Sequence, residues 1–305
     1  MPLPGAKPLA AGCPERKPHA RPSGQAAGPK QAGILKGAFP VFYLMKHSAS
    51  EDSFSFIFNK LSDNITLNPL DVLYRDERLA VISKPEGMMV HRTKIASRET
   101  VFLVDIARAQ FASRIYPVHR LDRGTSGAML IAFDAQTARA LGEEMMAGAI
   151  SKTYLALCRG WIEEETLVDK PLGAVKDDLI AEGAEELKPA RTRIVPLFRT
   201  EVPVACSPYE CTRLTLLEAL PEHGRRHQIR RHLKSISHPL IGDATYGKGP
   251  LNRALSEYFG GARLYLHSAS IGFTHPVTGE RMRVQAPLTG LFERVAESLR
   301  EGAEA

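Results

Sequence analysis

One run, His119-Arg120-Leu121-Asp122-Arg123-Gly124-Thr125-Ser126-Gly127, constrains this chain more than any other. It sets one carboxylate between two arginines and follows it with small, turn-forming residues. It then passes into the apolar stretch Ala128–Phe133, which reads as a buried strand. A charged turn therefore has to sit at the mouth of a buried strand. The glycines permit the tight backbone. The arginines can hold the acid ionised and can also meet a phosphate backbone. An ionised carboxylate presented on a turn is either a nucleophile or half of a structural Arg–Asp pair. The run alone leaves both open.

Around that turn the punctuation is that of a mixed α and β protein. Leu79–Ser83 reads as a strand stopped by Lys84-Pro85, and Thr100–Gln110 has helical spacing. Ala135–Ala149 is predicted to be a helix with Ala138, Leu141 and Met145 on one face. Tyr154–Cys158 and the alternating Thr212–Glu218 are strands. Arg225–Ser235 is a helix ended before His238-Pro239. Arg263–Phe273 and Arg281–Gln285 are late strands, and Leu288–Arg300 is a closing helix. Strict βαβ alternation is missing, which points to a mixed or antiparallel sheet in an α+β protein.

The formal net charge is +6, but its distribution matters more than its size. Residues 1–47 hold seven Lys or Arg and one acid, whereas residues 48–305 hold 33 of each sign. Any affinity for an acidic partner has to come from local clusters. Seven prolines precede residue 30, so residues 1–33 are expected to be a disordered basic tail. Residues 34–66 are an extension of uncertain role, with an apolar stretch from Ile34 to Met45. A single folded domain is expected over 67–300. The segment Glu163–Glu186 holds nine acids and is expected to be a loop or flap away from any phosphate backbone.

Four cysteines in 305 residues do not make a secreted disulfide framework. No apolar run approaches the ~20 residues of a membrane helix, and no secretory leader is evident, so a cytoplasmic protein without a membrane partner is expected. Cys206 and Cys211 lack a second cysteine pair, and His223, His227 and His232 have arginines between them. A metal is therefore not expected.

The run His119–Gly127 resembles the HRLDxxTSG signature of the RluA-type pseudouridine synthases. Leu79–Gly87 with Val90-His91-Arg92 resembles that family's first motif. Ser151-Lys152-Thr153-Tyr154 resembles its tyrosine strand, and Gly224–Leu233 its GRxHQ-[IL]-R-x-HL motif. His238–Asp243, Leu266-His267-Ser268 and Phe273–Gly279 follow in order. The resemblance implies a bent central sheet, mixed or antiparallel, with flanking helices and a central cleft. It also implies isomerisation of uridine to pseudouridine in structured RNA, with no cofactor and no obligate protein partner. Gly87–Arg92, Arg159-Gly160-Trp161 and the paired arginines of His227–His232 resemble the branch that acts on tRNA at uridine 65. The same chemistry on ribosomal RNA is the alternative. Many relatives carry an N-terminal S4 domain, and no corresponding motif is found before residue 67.

The resemblance also assigns roles. Asp122 would be the nucleophile, acting on the ribose C1′ or on the uracil ring. Tyr154 would contact the target base and serve in deprotonation at carbon 5. Arg230 would pair with Asp122. Arg231 is its helical neighbour, about 100° around the axis, so only one of the two can face the acid. Arg120 would either fill the position vacated by a flipped base or contact a phosphate. Arg225, Arg226, Arg231 and Lys234 form an RNA footprint. Two rivals remain. A retaining glycosidase needs a second carboxylate beside Asp122, and an RNA-binding assembly factor would have a degenerate site.

Overall fold

The computed structural model describes residues 68–92, 101–175 and 186–304. The expected tail and extension before residue 67 lie outside them. Ten strands form one sheet: β1 (Asp71–Arg75), β2 (Leu79–Lys84), β3 (Tyr116–Pro117), β4 (Ser126–Ala132), β5 (Ser151–Arg159), β6 (Thr166–Asp169), β7 (Arg191–Val202), β8 (Thr212–Pro221), β9 (Leu266–Thr274) and β10 (Arg281–Gln285). The helices are α1 (Leu103–Phe111), α2 (Ala135–Met146), α3 (Gln228–Ser235), α4 (Gly249–Phe259) and α5 (Gly290–Glu304). The main path runs β1-β2-β4-β9-β5-β8-β7-β6, with β3 on β4 and β10 on β9. Every pairing is antiparallel except β4 with β9. The expected mixed sheet with flanking helices is what the chain builds.

Both faces of the sheet are covered, which explains the near-continuous apolar runs of its inner strands. All seven residues of β4 are buried. Met129 and Ile131 join one core with Ala80, Ile82, Leu217 and Ala219, beside residues of α1 and α3. Ala128 and Leu130 turn to the other face with Leu79, Val81 and Leu141 of α2. Further along that face, Leu214 and Leu216 pack with Leu251, Leu255 and Phe259 of α4 and Phe292 and Val295 of α5.

Helix ends are satisfied in different ways. Asp134 caps α2 by accepting from the Thr137 N–H at 2.8 Å. α1 has no side-chain cap, and its Leu103 and Val104 amides donate to the Met89 and Val90 carbonyls instead. α4 carries Pro250 in its first turn and ends on Gly260 in the left-handed region.

Two expectations need correction. The helix expected from Arg225 begins only at Gln228, because His227 adopts φ 54° and ψ 27°. That left-handed conformation cannot propagate a right-handed helix, and the Arg225–Gln228 turn precedes it. The acidic segment is not wholly a loop. Thr166–Asp169 is an edge strand, and its acids meet arginines of β7: Asp169 with Arg191 at 2.8 Å, Glu165 with Arg193 at 3.3 Å, and Glu163 with Arg199. Residues 176–185 of that segment lie outside the described residues. No element was expected over Arg191–Val202, which is a twelve-residue strand whose alternation is broken at Pro196, where its register on β8 shifts.

The centre of the sheet is set by one row. Gly127 of β4 and Tyr154 of β5 both pair with Ser268 of β9, from opposite edges. Gly127 sits at φ 104°, and a Cβ there would collide with the Ser268 carbonyl oxygen. Gly127→Ala should therefore cost about 3 kcal/mol or more through strain and clash. A shift of the denaturation midpoint smaller than about 1 kcal/mol would show that the row can spread.

His119 anchors the same strand by accepting the Leu130 N–H on Nε2 at 3.1 Å, which requires the neutral Nδ1–H tautomer. Burial, with help from the Lys152 charge, pushes its pKa down to about 4 from 6.5, against a backbone contact at Arg120. A depressed histidine pKa gives stability that is full above pH 6.5 and is lost as pH falls towards 4. The loss is on the order of 3 kcal/mol. Denaturant midpoints between pH 7 and 4 should flatten in His119→Gln relative to the parent. Parallel curves would refute this source of the slope.

Candidate active site

Asp122 lies on the loop from β3 to β4, four residues before the strand begins at Ser126. Its turn is closed by the Thr125 N–H donating to the Asp122 carbonyl at 3.0 Å. Lys84, wholly buried at the end of β2, holds this turn from below. Its ammonium donates to the carbonyls of Pro85 (2.7 Å), Met88 (2.8 Å) and Arg123 (3.1 Å). Burial pushes the Lys84 pKa down to about 7, with Asp122 and Glu86 opposing. The Lys-Pro turn and the Asp122 turn, far apart in sequence, are thus tied through one side chain.

Arg230 reaches Asp122 from α3. Its Nη1 donates to Asp122 Oδ2 at 3.0 Å. Its other edge grips Asp243 at two points, Nε to Oδ2 at 2.7 Å and Nη2 to Oδ1 at 2.9 Å, and Nη2 also meets Thr245 Oγ1 at 3.2 Å. The Asp243 side chain is fully buried and accepts the Thr245 and Tyr246 amides, both at 2.9 Å. Gly242 makes this turn possible, because at φ 74° a Cβ would run into the Arg263 carbonyl. Burial opposes charge on both partners, yet their mutual hydrogen bonds win. Arg230 is held above its ordinary value and Asp243 below its own. The Tyr246 ring lies 5.1 Å below the guanidinium.

His227 completes the enclosure. Its Nδ1 is 3.1 Å from the Tyr246 hydroxyl and its Nε2 is 3.8 Å from Asp122. Burial lowers its pKa, outweighing the pull of Asp122, so the ring is neutral at pH 7. Tyr154 on β5 is buried, and burial followed by the Asp122 charge pushes its hydroxyl up, against a hydrogen bond with Ser268. These groups line a cleft of about 280 Å³ together with Arg120, Lys152, His223 and Arg225. Among the described residues, Asp122 is the only acid in that lining.

Asp122, Tyr154 and Arg230, singled out from the sequence, therefore meet in one cleft, and Arg120 and Arg225 line it. Arg120 is exposed, as are Arg226 and Lys234, whereas Arg225 and Arg231 are half-buried. Arg225 donates to the Pro189 carbonyl at 3.1 Å, and Arg231 turns away to the Gly173 carbonyl at 2.8 Å. Of the two neighbouring arginines, Arg230 faces the acid. His232 points elsewhere, between Thr192 and the Lys170 carbonyl.

The sequence reading assigned no site role to Asp243, His227 or Lys84. The motif His238–Asp243 ends on an acid that an inward arginine would need, and that was the available signal. Asp243 is a second buried carboxylate, which a glycosidase would require. It is, however, held ionised by Arg230 and two amides, the opposite of a general acid kept protonated. Among the described residues no group of three metal-ligating side chains comes together.

Comparison with known proteins agrees with this geometry. Residues 78–235 match the RNA pseudouridylate synthase family. The chain is 37% identical over 227 residues to tRNA pseudouridine synthase C of Vibrio cholerae, covering 73% of this chain and 93% of that one. It is 40% identical over 222 residues to the protein of the same name from Haemophilus ducreyi, covering 72% and 91%. Among solved structures, human RNA pseudouridylate synthase domain containing 4 superposes with a TM-score of 0.57 at 20% identity, over 82% of this chain and 97% of that one. Its relative, domain containing 1, gives 0.56 at 22%, over 78% and 98%. The two human structures share the fold. The sequence match, with a cleft that sets an aspartate against a buried arginine, makes the chain a member of the RluA family of pseudouridine synthases, an isomerase acting on RNA.

Proposed function

We propose that this enzyme converts uridine 65 of tRNA to pseudouridine, with Asp122 as its nucleophile. The observation that carries the nucleophile is the Arg230 guanidinium, fixed on buried Asp243 through Nε and Nη2, with Nη1 left to donate to Asp122. Such a donor gives the carboxylate a charge-assisted hydrogen bond and aims it. The tRNA assignment is supported by the relatives named tRNA pseudouridine synthase C, matched over more than nine-tenths of their length.

The reaction breaks the bond from N1 of uracil to C1′ and makes one from C5 to C1′. The C5 proton leaves and N1 gains one, so atoms and electrons balance without a carrier. Asp122 forms its transient bond either at C1′ or on the uracil ring. The target base has to leave its stack first, at a cost of a few kcal/mol, and Arg120 at the cleft mouth fills the vacated space or holds a phosphate. Tyr154 packs on the base as a neutral phenol. When Asp122 spends its charge in a covalent bond, one cause of the raised Tyr154 pKa disappears. The phenolate then becomes easier to form at the stage when the C5 proton must go. Arg226 and Lys234, exposed beside the cleft, serve as phosphate contacts, with Arg225 and Arg231 bracing the same surface.

Asp122→Asn should abolish product in a single-turnover assay on a tRNA transcript while leaving RNA affinity within about tenfold, since each tenfold is 1.4 kcal/mol. Arg231→Ala should lose far less turnover than Arg230→Ala. Appreciable product from Asp122→Asn, or the reverse order for the arginines, would overturn the assignment.

Pseudouridine mapping in total RNA of a strain without this gene should show position 65 of tRNA unmodified. Loss of a ribosomal RNA site with position 65 intact would move the substrate to ribosomal RNA and leave the chemistry standing.

A further inference from the structure

Lys152 is a charged side chain that the reaction as described does not use. It lies on β5 two residues before Tyr154, and both line the cleft. It is 8% exposed. Its ammonium donates to the thioether Sδ of Met145 at 3.7 Å. A thioether is a weak acceptor with no charge. No carboxylate pairs with Lys152 among the described residues, and Asp122, the single acid of the cleft lining, is taken by Arg230. Burying an ammonium without a counter-charge costs several kcal/mol, and its presence also helps drive the neighbouring His119 to its low pKa. A neutral chain of the same length would fill this space more cheaply in the free protein. The charge is repaid only if an anion arrives.

We propose that Lys152 is an anion subsite that takes a backbone phosphate adjoining the uridine in the cleft. This rests on the reading that the uridine enters beside Asp122 and Tyr154. A uracil carbonyl would give the ammonium a hydrogen bond but no charge, whereas a phosphate gives both. The spacing fits as well. Two strand residues separate Lys152 from Tyr154 by about 7 Å, the order of the span between a base and the phosphate of its own nucleotide. Lys152 would thereby pull the flipped nucleotide inward while Tyr154 holds its ring.

The test uses the full chain with Lys152→Met, which keeps length and removes charge, and Lys152→Arg, which keeps charge. Affinity for a tRNA transcript should fall about tenfold in Lys152→Met, and the slope of log affinity against log salt should lessen by about 0.7–0.9, the share of one phosphate contact. Lys152→Arg should keep most of both. The melting temperature of Lys152→Met should equal or exceed that of the parent, which a merely structural lysine would not allow. Uridine 5′- and 3′-monophosphates should compete with RNA about tenfold better than uridine, and this advantage should vanish in Lys152→Met. An unchanged salt slope, or a nucleotide-to-nucleoside ratio near one in the parent, overturns the proposal. The second measurement decides even if the methionine variant does not fold. An active Asp122→Asn with these phosphate effects intact would instead remove the nucleophile and leave the subsite.

Discussion

The site depends on one buried guanidinium. Arg230 has five N–H donors, and the fold commits one edge of them to Asp243, whose side chain is sealed from solvent and tied to two backbone amides. Such a pair contributes little net stability, because desolvating both charges offsets their attraction. Removing one partner, however, leaves a stranded charge worth about 3–5 kcal/mol. The pair is therefore best understood as a fixture for position. With one edge immobilised, Nη1 is fixed in place, and it donates to Asp122 at 3.0 Å.

The rest of the architecture serves to bring the acid to that donor. Asp122 cannot be placed by its own turn alone, since a charged loop gains from swinging into water. Lys84 ties the loop from beneath by a carbonyl bond to Arg123. Gly127, five residues later, locks it to β9 through a close backbone approach that no side chain would tolerate. The same Ser268 that meets Gly127 meets Tyr154 on the other edge of β9. At about 4.8 Å between neighbouring strands, the row sets β4, which follows the Asp122 turn, and β5, which carries Tyr154, roughly 10 Å apart, with the cleft above them. The left-handed His227 is part of this arrangement. Its conformation costs about 1–2 kcal/mol and places an imidazole between Tyr246 and Asp122. Strain of that kind at a site is expected where geometry is over-determined by its surroundings.

The electrostatics suit an RNA enzyme whose overall charge beyond the first 47 residues is balanced. Acids are not excluded from the molecule. They are spent along the β6 edge of the sheet, where Glu163, Glu165 and Asp169 meet the arginines of β7. Exposed pairs of this sort add little stability, but each acid there is neutralised by its arginine. Within the cleft, Arg120, Lys152 and Arg225 face outward or inward with Asp122 as the sole acid. Specificity for a polyanion is thus a matter of local placement, which net charge does not report.

The sequence by itself determined the inner strands, because alternation and apolar runs report burial directly: Leu79–Lys84, Ser126–Ala132 and Ser151–Arg159 follow their hydrophobic pattern. It also singled out Asp122, Tyr154 and Arg230, because chemistry-bearing residues stood in a recognisable order. It missed β7, where Pro196 breaks the alternation at a bulge, and α4, whose opening Gly249-Pro250 reads as a loop. Only the tertiary structure decided that Asp243 shares Arg230 with Asp122, and that Arg231 turns away to the Gly173 carbonyl. Asp122 and Arg230 are 108 residues apart, and the direction of a side chain depends on the left-handed residue that starts its helix and on strands packed around it. Local periodicity carries the burial of a residue. It does not carry the partner that arrives from across the sheet, because that contact exists only once the long-range pairings of β4, β5 and β9 have closed.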